Sequence, residues 1–381
     1  MDSEKSQKPE SLVPSPTSAL ARTATSALVK RGLQDLSFTR PRWTRKHVLD
    51  EVPLVLGVSS SGFVAARLKS GSDEIFSIVI YNPETGRLSV IEAPCLAHLD
   101  PTDRELFSLV TNFAWSPFGR YLLASAFAGP LRLYDAHRSE FLGVIGEPDA
   151  DSTAWSPRGK YLAMKTLGRG LQIWHIKSSQ EGPLSLSKRA DLDLEKWLSD
   201  STRVFANYGA GRAFEGFIHV VFKRDETLIA VTARDRLIGP EEILIPYLVG
   251  FDVPTLKERF RIQTPGHVES LSWAVSGQLI ACCSGGNACS IEPERGTLSV
   301  LPIQAAPCCC HPIHDICTFA IPVGTTSNEK YHMRVVWLDG LATITEQPIF
   351  GFVHDMCWSM DGTKLFAVTS AGDLWTCTFP E

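Results

Sequence analysis

The chain has 381 residues, of which 44% are hydrophobic and 21% are charged, an ordinary composition for a globular protein that buries a core. Its net charge of −5 gives no general attraction to nucleic acid or to anionic membranes, which argues against nucleic acid as a direct ligand. No apolar stretch approaches the roughly 18–20 residues that span a bilayer, so we predict no transmembrane segment.

The N-terminal arm changes character near residue 19. Residues 1–18 are rich in Ser, Pro, Lys and Glu and are predicted to be disordered. Residues 19–46 predict a short helix followed by a basic extended segment. The helix could be a mitochondrial presequence, a basic membrane-surface helix, or a helix that binds a partner or folds onto the rest of the chain. The candidate partner-binding residues in the arm are Leu28, Leu33 and Leu36.

From about residue 47 the sequence predicts short β-strands, and one phrase recurs. Residues 112–123 read NFAWSPFGRYLL and residues 152–162 read STAWSPRGKYL. In each repeat an apolar strand ends near a Trp, a turn with Gly four residues after the Trp follows, and two further strands come next. The four clear pairs are Trp115/Gly119, Trp155/Gly159, Trp273/Gly277 and Trp358/Gly362.

The composition of the repeat has a physical explanation. We expect the turn Gly to adopt positive φ and the Trp ring to pack between neighbouring sheets. A small sheet cannot bury both faces alone, so the units must stack on one another. Weaker copies place Val58, Phe222 and Phe319 at the Trp position, which gives seven units over residues 47–381.

The repeats resemble WD40 repeats over roughly residues 47–381. The best copy, residues 264–286, contains Gly266 and His267, similar to the Gly-His element of that family, and LYD at 133–135 resembles a degenerate Trp-Asp end. No unit ends in Trp-Asp, and most lack the turn Asp, so the hydrogen-bond network of a standard WD40 blade is not intact. The resemblance implies an all-β fold, a single seven-bladed WD40-like β-propeller that carries the N-terminal arm.

Closure of the ring needs one more strand, because the last unit stops after its third strand in LWTCTFPE. We predict that an N-terminal strand, RKHVLDE at 45–51, supplies the missing outer strand. Such closure protects sheet edges that would otherwise pair with other chains.

Two insertions are predicted in the propeller, at 181–214 and at 234–248. In the first, DLDLEKWLSD at 191–200 places Leu194, Trp197 and Leu198 on one helical face. This segment is either a surface helix folded back over the rim or a docking element with Trp197 as its anchor. The second insertion predicts an extended hairpin or an added outer strand.

The sequence contains few of the residue patterns that are typical of catalytic or cofactor sites. It lacks the nucleophile-elbow, phosphate-loop, dinucleotide and zinc-protease motifs, so we predict no enzyme, no cofactor and no small-molecule substrate. CCCHPIHDIC at 308–317 concentrates metal-ligand residue types, but it coincides with the first strand of the sixth unit. Strand packing with Cys as a small apolar residue is the preferred interpretation, zinc the alternative, and we predict no metal site.

The ten cysteines bear on location. Nine follow residue 280, and several are adjacent, an arrangement that makes a poor disulfide framework. The N-terminus lacks the apolar core of a secretory signal. We therefore predict an intracellular protein of the cytoplasm, the nucleus or both. Single blades also resemble those of the aladin type of nuclear-pore propeller and of spindle-pole WD proteins, which would place the chain at the nuclear envelope or a spindle pole.

The WD40 resemblance implies a non-catalytic scaffold or adaptor subunit in a stable complex with other proteins. Propeller surfaces, the N-terminal arm and the 181–214 insertion would make the contacts. The alternative is a recognition module that binds a peptide or nucleic-acid ligand on the propeller face, near the basic residues Arg212, Arg224, Arg234 and Arg236.

Overall fold

A computed structural model of the chain describes residues 41–380 apart from 52, 70–75, 92–109, 127–130, 146–149, 167–169, 178–183, 194–196, 198–210, 239–242, 286, 305–306 and 324–329. The described residues form twenty-eight β-strands in seven antiparallel sheets of four strands each. Among them only Trp197 has a helical conformation, which confirms the all-β class. The predictions for residues 1–18 and for the helix from residue 19 lie outside the described residues.

The first three blades follow one another along the chain, each with its strands in sequence order from the innermost to the outermost. Blade 1 contains β2 Val55–Val58, β3 Val64–Lys69, β4 Phe76–Asn82 and β5 Arg87–Ile91. Blade 2 contains β6 Val110–Trp115, β7 Tyr121–Ala126, β8 Leu131–Asp135 and β9 Glu140–Ile145. Blade 3 contains β10 Ala150–Trp155, β11 Tyr161–Thr166, β12 Gly170–Lys177 and β13 Ser185–Asp193.

The remaining blades repeat this order, except that the outer strand of blade 7 comes from the N-terminal side. Blade 4 contains β14 Gly211–Phe222, β15 Leu228–Ile238, β16 Ile243–Asp252 and β17 Glu258–Gln263. Blade 5 contains β18 Val268–Trp273, β19 Leu279–Cys283, β20 Asn287–Glu292 and β21 Thr297–Gln304. Blade 6 contains β22 Cys308–Cys310, β23 Ile316–Pro322, β24 Lys330–Trp337 and β25 Thr343–Phe350. Blade 7 contains β26 Val353–Trp358, β27 Lys364–Thr369, β28 Asp373–Thr378 and β1 Arg42–His47.

The blades form a closed ring whose core lies between them. The first strand of each blade contacts the first strand of the next, and β26 contacts β2. The seven hydrophobic clusters of the described residues each join two adjacent blades; Leu56 and Val64 of blade 1, for example, pack against Phe366 of blade 7. Because each sheet buries its faces against its neighbours, the blades stabilise one another.

The marker Trp residues lie at these junctions, as predicted. Trp115 packs between blades 1 and 2, Trp155 between blades 2 and 3, and Trp273 and Trp358 occupy the corresponding positions before blades 5 and 7. The prediction for Phe319 is wrong, because that residue lies in β23, the second strand of blade 6, opposite Cys308. Cys310 ends the first strand and takes the marker position.

The predicted closing strand is confirmed, although it spans Arg42–His47 and not 45–51. β1 pairs antiparallel with β28 as the outer strand of blade 7. Asp373, at the start of β28, is fully buried, and its carboxylate lies 2.8 Å from the Arg45 guanidinium and 3.1 Å from the His47 ring. The closing strand therefore carries two partners of a buried carboxylate, the Arg45 guanidinium and the His47 ring.

Parts of the predicted insertions are blade strands. Residues 185–193 of the first insertion form β13, and β14 begins at Gly211. The predicted helix at 191–200 therefore starts too early, since its first three residues pair with β12. Across the second insertion, β15 and β16 pair from Leu228 and Asp252 to Leu237 and Ile243, so its described residues belong to two paired strands of blade 4.

Candidate functional site

The repeated phrase forms the turn between the first and second strands of a blade. The Ser116 hydroxyl accepts a hydrogen bond of 2.9 Å from the backbone N–H of Tyr121, which starts the second strand. Gly119 donates its N–H to the Ser116 carbonyl at 2.8 Å and has a φ of 70°, so the predicted positive φ is confirmed. The same arrangement recurs at Ser59/Gly62, Ser156/Gly159 and Ser359/Gly362.

These turns lie at one end of the ring, which we call the turn face and define as residues 59–62, 116–119, 156–159, 223–226, 274–277, 311–315 and 359–362. Hydrogen bonds join turns of neighbouring blades. The Arg158 N–H donates to the Glu226 carboxylate at 2.9 Å, and the Ser276 N–H donates to Asp315 at 2.7 Å. The turn face is therefore cross-linked by polar contacts and holds its side chains at fixed positions.

His311 joins the turns of blades 6 and 7. Its ring is buried, lies edge-on to Trp358 at 4.5 Å between ring centres, and contacts the Gly362 carbonyl through Nε2 at 3.0 Å. Nδ1 accepts hydrogen bonds of 3.0 Å from the N–H groups of Ile313 and His314. These contacts require the neutral ring with its proton on Nε2. Burial lowers the pKa of His311 to about 4.

We expect the stability that His311 confers to be lost in mild acid. The unfolded chain takes up the proton near the ordinary pKa of 6.5, whereas the folded protein resists it until about 4. The free energy of unfolding should therefore fall across that window, by up to about 3 kcal/mol. Urea unfolding of the wild type and His311→Gln, from about pH 7 to about pH 4.5, measures this loss. A stability difference between the two proteins that stays constant with pH would contradict the prediction.

A cavity of about 460 Å³ opens at the centre of the turn face, between the innermost strands of blades 3 to 7. Trp155, Trp273 and Trp358 line it, together with small polar and thiol side chains. Asp355 contributes a carboxylate that accepts 2.9 Å hydrogen bonds from the N–H groups of Val58 and Met356. Burial raises the pKa of Asp355 to about 6. Asp355 thus joins blade 7 to blade 1 at the cavity wall.

Large apolar side chains are exposed around this cavity. Phe118 is 66% exposed, Ile313 46%, and Val275 and Met360 42% each. Val275 and Met360 also line the cavity. Val275, Ile313 and Met360 lie on the turns of three consecutive blades and form an apolar rim, with Phe118 on the turn of blade 2, which is an arrangement expected of an interaction surface.

Basic side chains lie beside this apolar rim. Arg158, Lys160 and Arg224 are exposed on the turns of blades 3 and 4 or directly after them. Within the described part of the chain, no carboxylate is in ion-pair range of the Arg158 or Arg224 guanidinium. Because the whole chain has a net charge of −5, this sector is a local excess of positive charge.

The structure describes one of the six predicted partner-binding residues. Trp197 packs on blade 4, with its ring edge-on to Phe251 at 5.8 Å and the Arg261 guanidinium 4.6 Å from the ring centre. Its Nε1–H donates to Glu258 at 2.9 Å. These contacts show a Trp197 side chain that is packed on the rim of blade 4. The other five predicted residues, Leu28, Leu33, Leu36, Leu194 and Leu198, lie outside the described residues.

The sequence reasoning missed the apolar rim, although a local pattern could have revealed it. A turn of the form Ser-Pro-x-Gly ordinarily carries a polar residue at x, because that side chain points into solvent. Phe118 occupies x in blade 2, and Met360 precedes Asp361 in the turn of blade 7. Apolar residues in several copies of one exposed turn indicate a surface that is covered in an assembly.

The CCCHPIHDIC segment is built as the preferred interpretation predicted. Its first three residues form β22, the innermost strand of blade 6, and Cys308 and Cys309 are buried. Over the described residues, no group of three His, Cys, Asp or Glu side chains is arranged to hold a metal ion.

No helix in the described part of the chain has the length and hydropathy to cross a membrane.

No protein-family model and no curated protein matches this chain. Solved structures do resemble it. The β-propeller domain of Myceliophteria thermophila Cps50 (Swd1) is one of them. The alignment covers 90% of this chain and 100% of that domain, with a TM-score of 0.56 and 11% sequence identity. A chain of the mitotic checkpoint complex covers 100% of this chain and 97% of its own, with a TM-score of 0.57 and 13% identity. These similarities, together with the seven four-stranded sheets, confirm the seven-bladed β-propeller fold.

Proposed function

We propose that this WD40-like propeller is a non-catalytic scaffold or adaptor subunit of a multiprotein assembly. One of the propellers that it resembles belongs to the mitotic checkpoint complex. The observation that carries the proposal is the turn face, where exposed apolar side chains lie on the turns of four blades and two of them line the central cavity. A rigid surface of this kind binds a partner with little loss of conformational entropy.

The chemistry of the turn face specifies the partner. Apolar anchors such as Phe118 and Ile313 call for apolar side chains on the partner. The Arg158 and Arg224 guanidiniums, which have no described carboxylate in range, call for negative charge next to those side chains. The partner is therefore a protein segment that combines acidic and apolar residues.

The N-terminal arm supplies a second contact. Arg42 pairs with Thr378, and Thr378 pairs with Lys364, which directly follows the turn of blade 7. The arm therefore enters blade 7 from the turn-face end, within reach of a partner bound there. Leu28, Leu33 and Leu36 of the arm are the residues that we assign to this added contact.

We place the protein inside the cell, in the cytoplasm, the nucleus or both. All nine cysteines of the described residues are free thiols, and most of them are buried in blades 5 to 7. Free thiols in such number suit a reducing compartment.

Substitutions on the turn face are expected to release the partner without unfolding the propeller. Phe118→Ser and Met360→Ser remove exposed anchors, and each should weaken binding by about tenfold or more. Arg158→Glu and Arg224→Glu should slow association and repel the acidic segment. The measurement is the stoichiometry of partners that co-purify with the tagged full chain from its own cells.

Matched controls are available on the outer strands. Val90 and Val300 are 62% and 56% exposed on β5 and β21, so Val90→Ser and Val300→Ser remove equally exposed apolar groups elsewhere. Arg189→Glu on β13 is the charge control. A carbodiimide, which joins an amine to a carboxylate without a spacer, should link Lys160 to an acidic segment of the partner. A partner that survives the turn-face variants, or RNA recovered in its place, would overturn the proposal.

A further inference from the structure

The inner hairpin of blade 6 holds two thiols directly opposite each other. Cys310 ends β22, Cys317 lies in β23, and their sulfur atoms are 3.5 Å apart. The N–H of His311 donates to the Ile316 carbonyl, so Cys310 and Cys317 form a pair whose own backbones exchange no hydrogen bond. Side chains come closest at such pairs, and the backbone spacing lies in the range that a disulfide spans.

The two thiols differ in access. Cys310 is half-buried and lines the central cavity, whereas Cys317 is fully buried. Burial and the neighbouring thiols of Cys308 and Cys310 raise the pKa of Cys317 well above its ordinary value. A reagent that enters the cavity can therefore reach Cys310 first. Cys317 lies behind Cys310 as a neutral thiol, and its sulfur contacts the Cys310 sulfur.

We propose that Cys310 and Cys317 are a reversible oxidation site, which hydrogen peroxide or a related hydroperoxide converts into a disulfide. The Cys310 thiolate attacks one peroxide oxygen, which forms a sulfenic acid and releases hydroxide. The Cys317 sulfur then attacks the sulfenic sulfur; the S–S bond forms, the S–O bond breaks, and the Cys317 proton leaves with that oxygen as water. The two thiols lose two electrons and two protons, and peroxide is reduced to two waters.

The disulfide would act on a defined part of the turn face. Cys310 and Cys317 flank the 311–315 turn, which carries the exposed Ile313 and the His311 contact to blade 7. Oxidation therefore joins the two ends of the 311–315 turn by a covalent bond at the mouth of the cavity. The chemistry can be followed in the isolated full chain, so the test does not depend on the proposed partner.

The test is to treat the purified full chain with hydrogen peroxide, block the remaining thiols and locate the bond by mass spectrometry. A protease that cuts before aspartate cleaves between His314 and Asp315, so the fragments with Cys310 and Cys317 stay joined only through a disulfide. We expect joined fragments that lack two hydrogen atoms and separate on reduction. A wild-type chain in which both thiols remain free to react after peroxide would overturn the proposal.

Variants identify the sulfur that reacts. Cys310→Ser should abolish the joined fragments, and the matched control Cys309→Ser should retain them. A bond that persists in Cys310→Ser would come from another cysteine of the same fragment and would show the assignment to be wrong. Phenylarsine oxide gives a second measurement without oxidation, because it condenses with two close thiols and releases water. The folded wild type should bind it, and Cys310→Ser should bind clearly less of it than Cys309→Ser does.

Discussion

Deletion of residues 1–47 is expected to open the propeller and abolish its cooperative unfolding, whereas deletion of residues 1–40 should leave the melting temperature nearly unchanged. The larger deletion removes β1 and exposes the edge of β28. It also removes the Arg45 guanidinium and the His47 ring, the two partners of the Asp373 carboxylate. An uncompensated buried charge costs about 3–5 kcal/mol, a large part of the ~5–15 kcal/mol that stabilises a typical domain. Circular dichroism melting and size-exclusion chromatography of the two deletions check this expectation.

Point variants separate the ion pairs of β1 from its backbone pairing. Arg45→Ala combined with His47→Ala leaves Asp373 buried without a positive partner while keeping the strand. Arg42→Ala combined with Thr44→Ala alters two exposed residues of the same strand and serves as the control. The first pair should lower the melting temperature clearly more than the second. Equal effects would mean that β1 closes the ring by backbone pairing alone.

The repeat and its closure could be predicted from sequence because their chemistry is local. A Ser whose hydroxyl accepts the N–H of Tyr121, followed by a Gly with positive φ, specifies one turn wherever it occurs. Blade 6 could not be placed correctly in this way, because its turn lacks the local Ser signal. There His311 stands where other blades have Ser, and its ring accepts the N–H groups of Ile313 and His314 within the turn, so the expected residue types are missing. The pattern therefore indicated Phe319, which lies in the second strand of the blade instead of the first.

The candidate site could not be predicted in the same way, because it depends on the order of blades around the ring. Phe118 and Met360 are far apart in the sequence and share the turn face only through closure. The helical pattern around Trp197 specifies an apolar side but not the surface that this side meets. Its contacts, Phe251 and Arg261, belong to the next blade. They are more than fifty residues away in the sequence, so no local pattern connects them to Trp197. Local periodicity predicts which face of a helix or strand is apolar, but tertiary packing decides what covers that face.

Substitution of Gly362 by Ala is expected to destabilise the protein by about 3 kcal/mol, because positive φ and a steric clash act together. Gly362 has a φ of 72°, and an added Cβ would collide with the His311 ring. That ring cannot retreat, since it packs on Trp358.

Gly296→Ala is the matched control for this prediction, because Gly296 has a φ of 64° and no atom within 4 Å of an added Cβ. It should therefore cost only the backbone term, about 1 kcal/mol. Urea unfolding of both variants measures the difference. The double variant Gly362→Ala with His311→Ala removes the ring that clashes, so its cost should fall below the sum of the two single costs. Additive costs would show that the junction of blades 6 and 7 yields to the added methyl group, and that the turn face is softer than its hydrogen bonds imply.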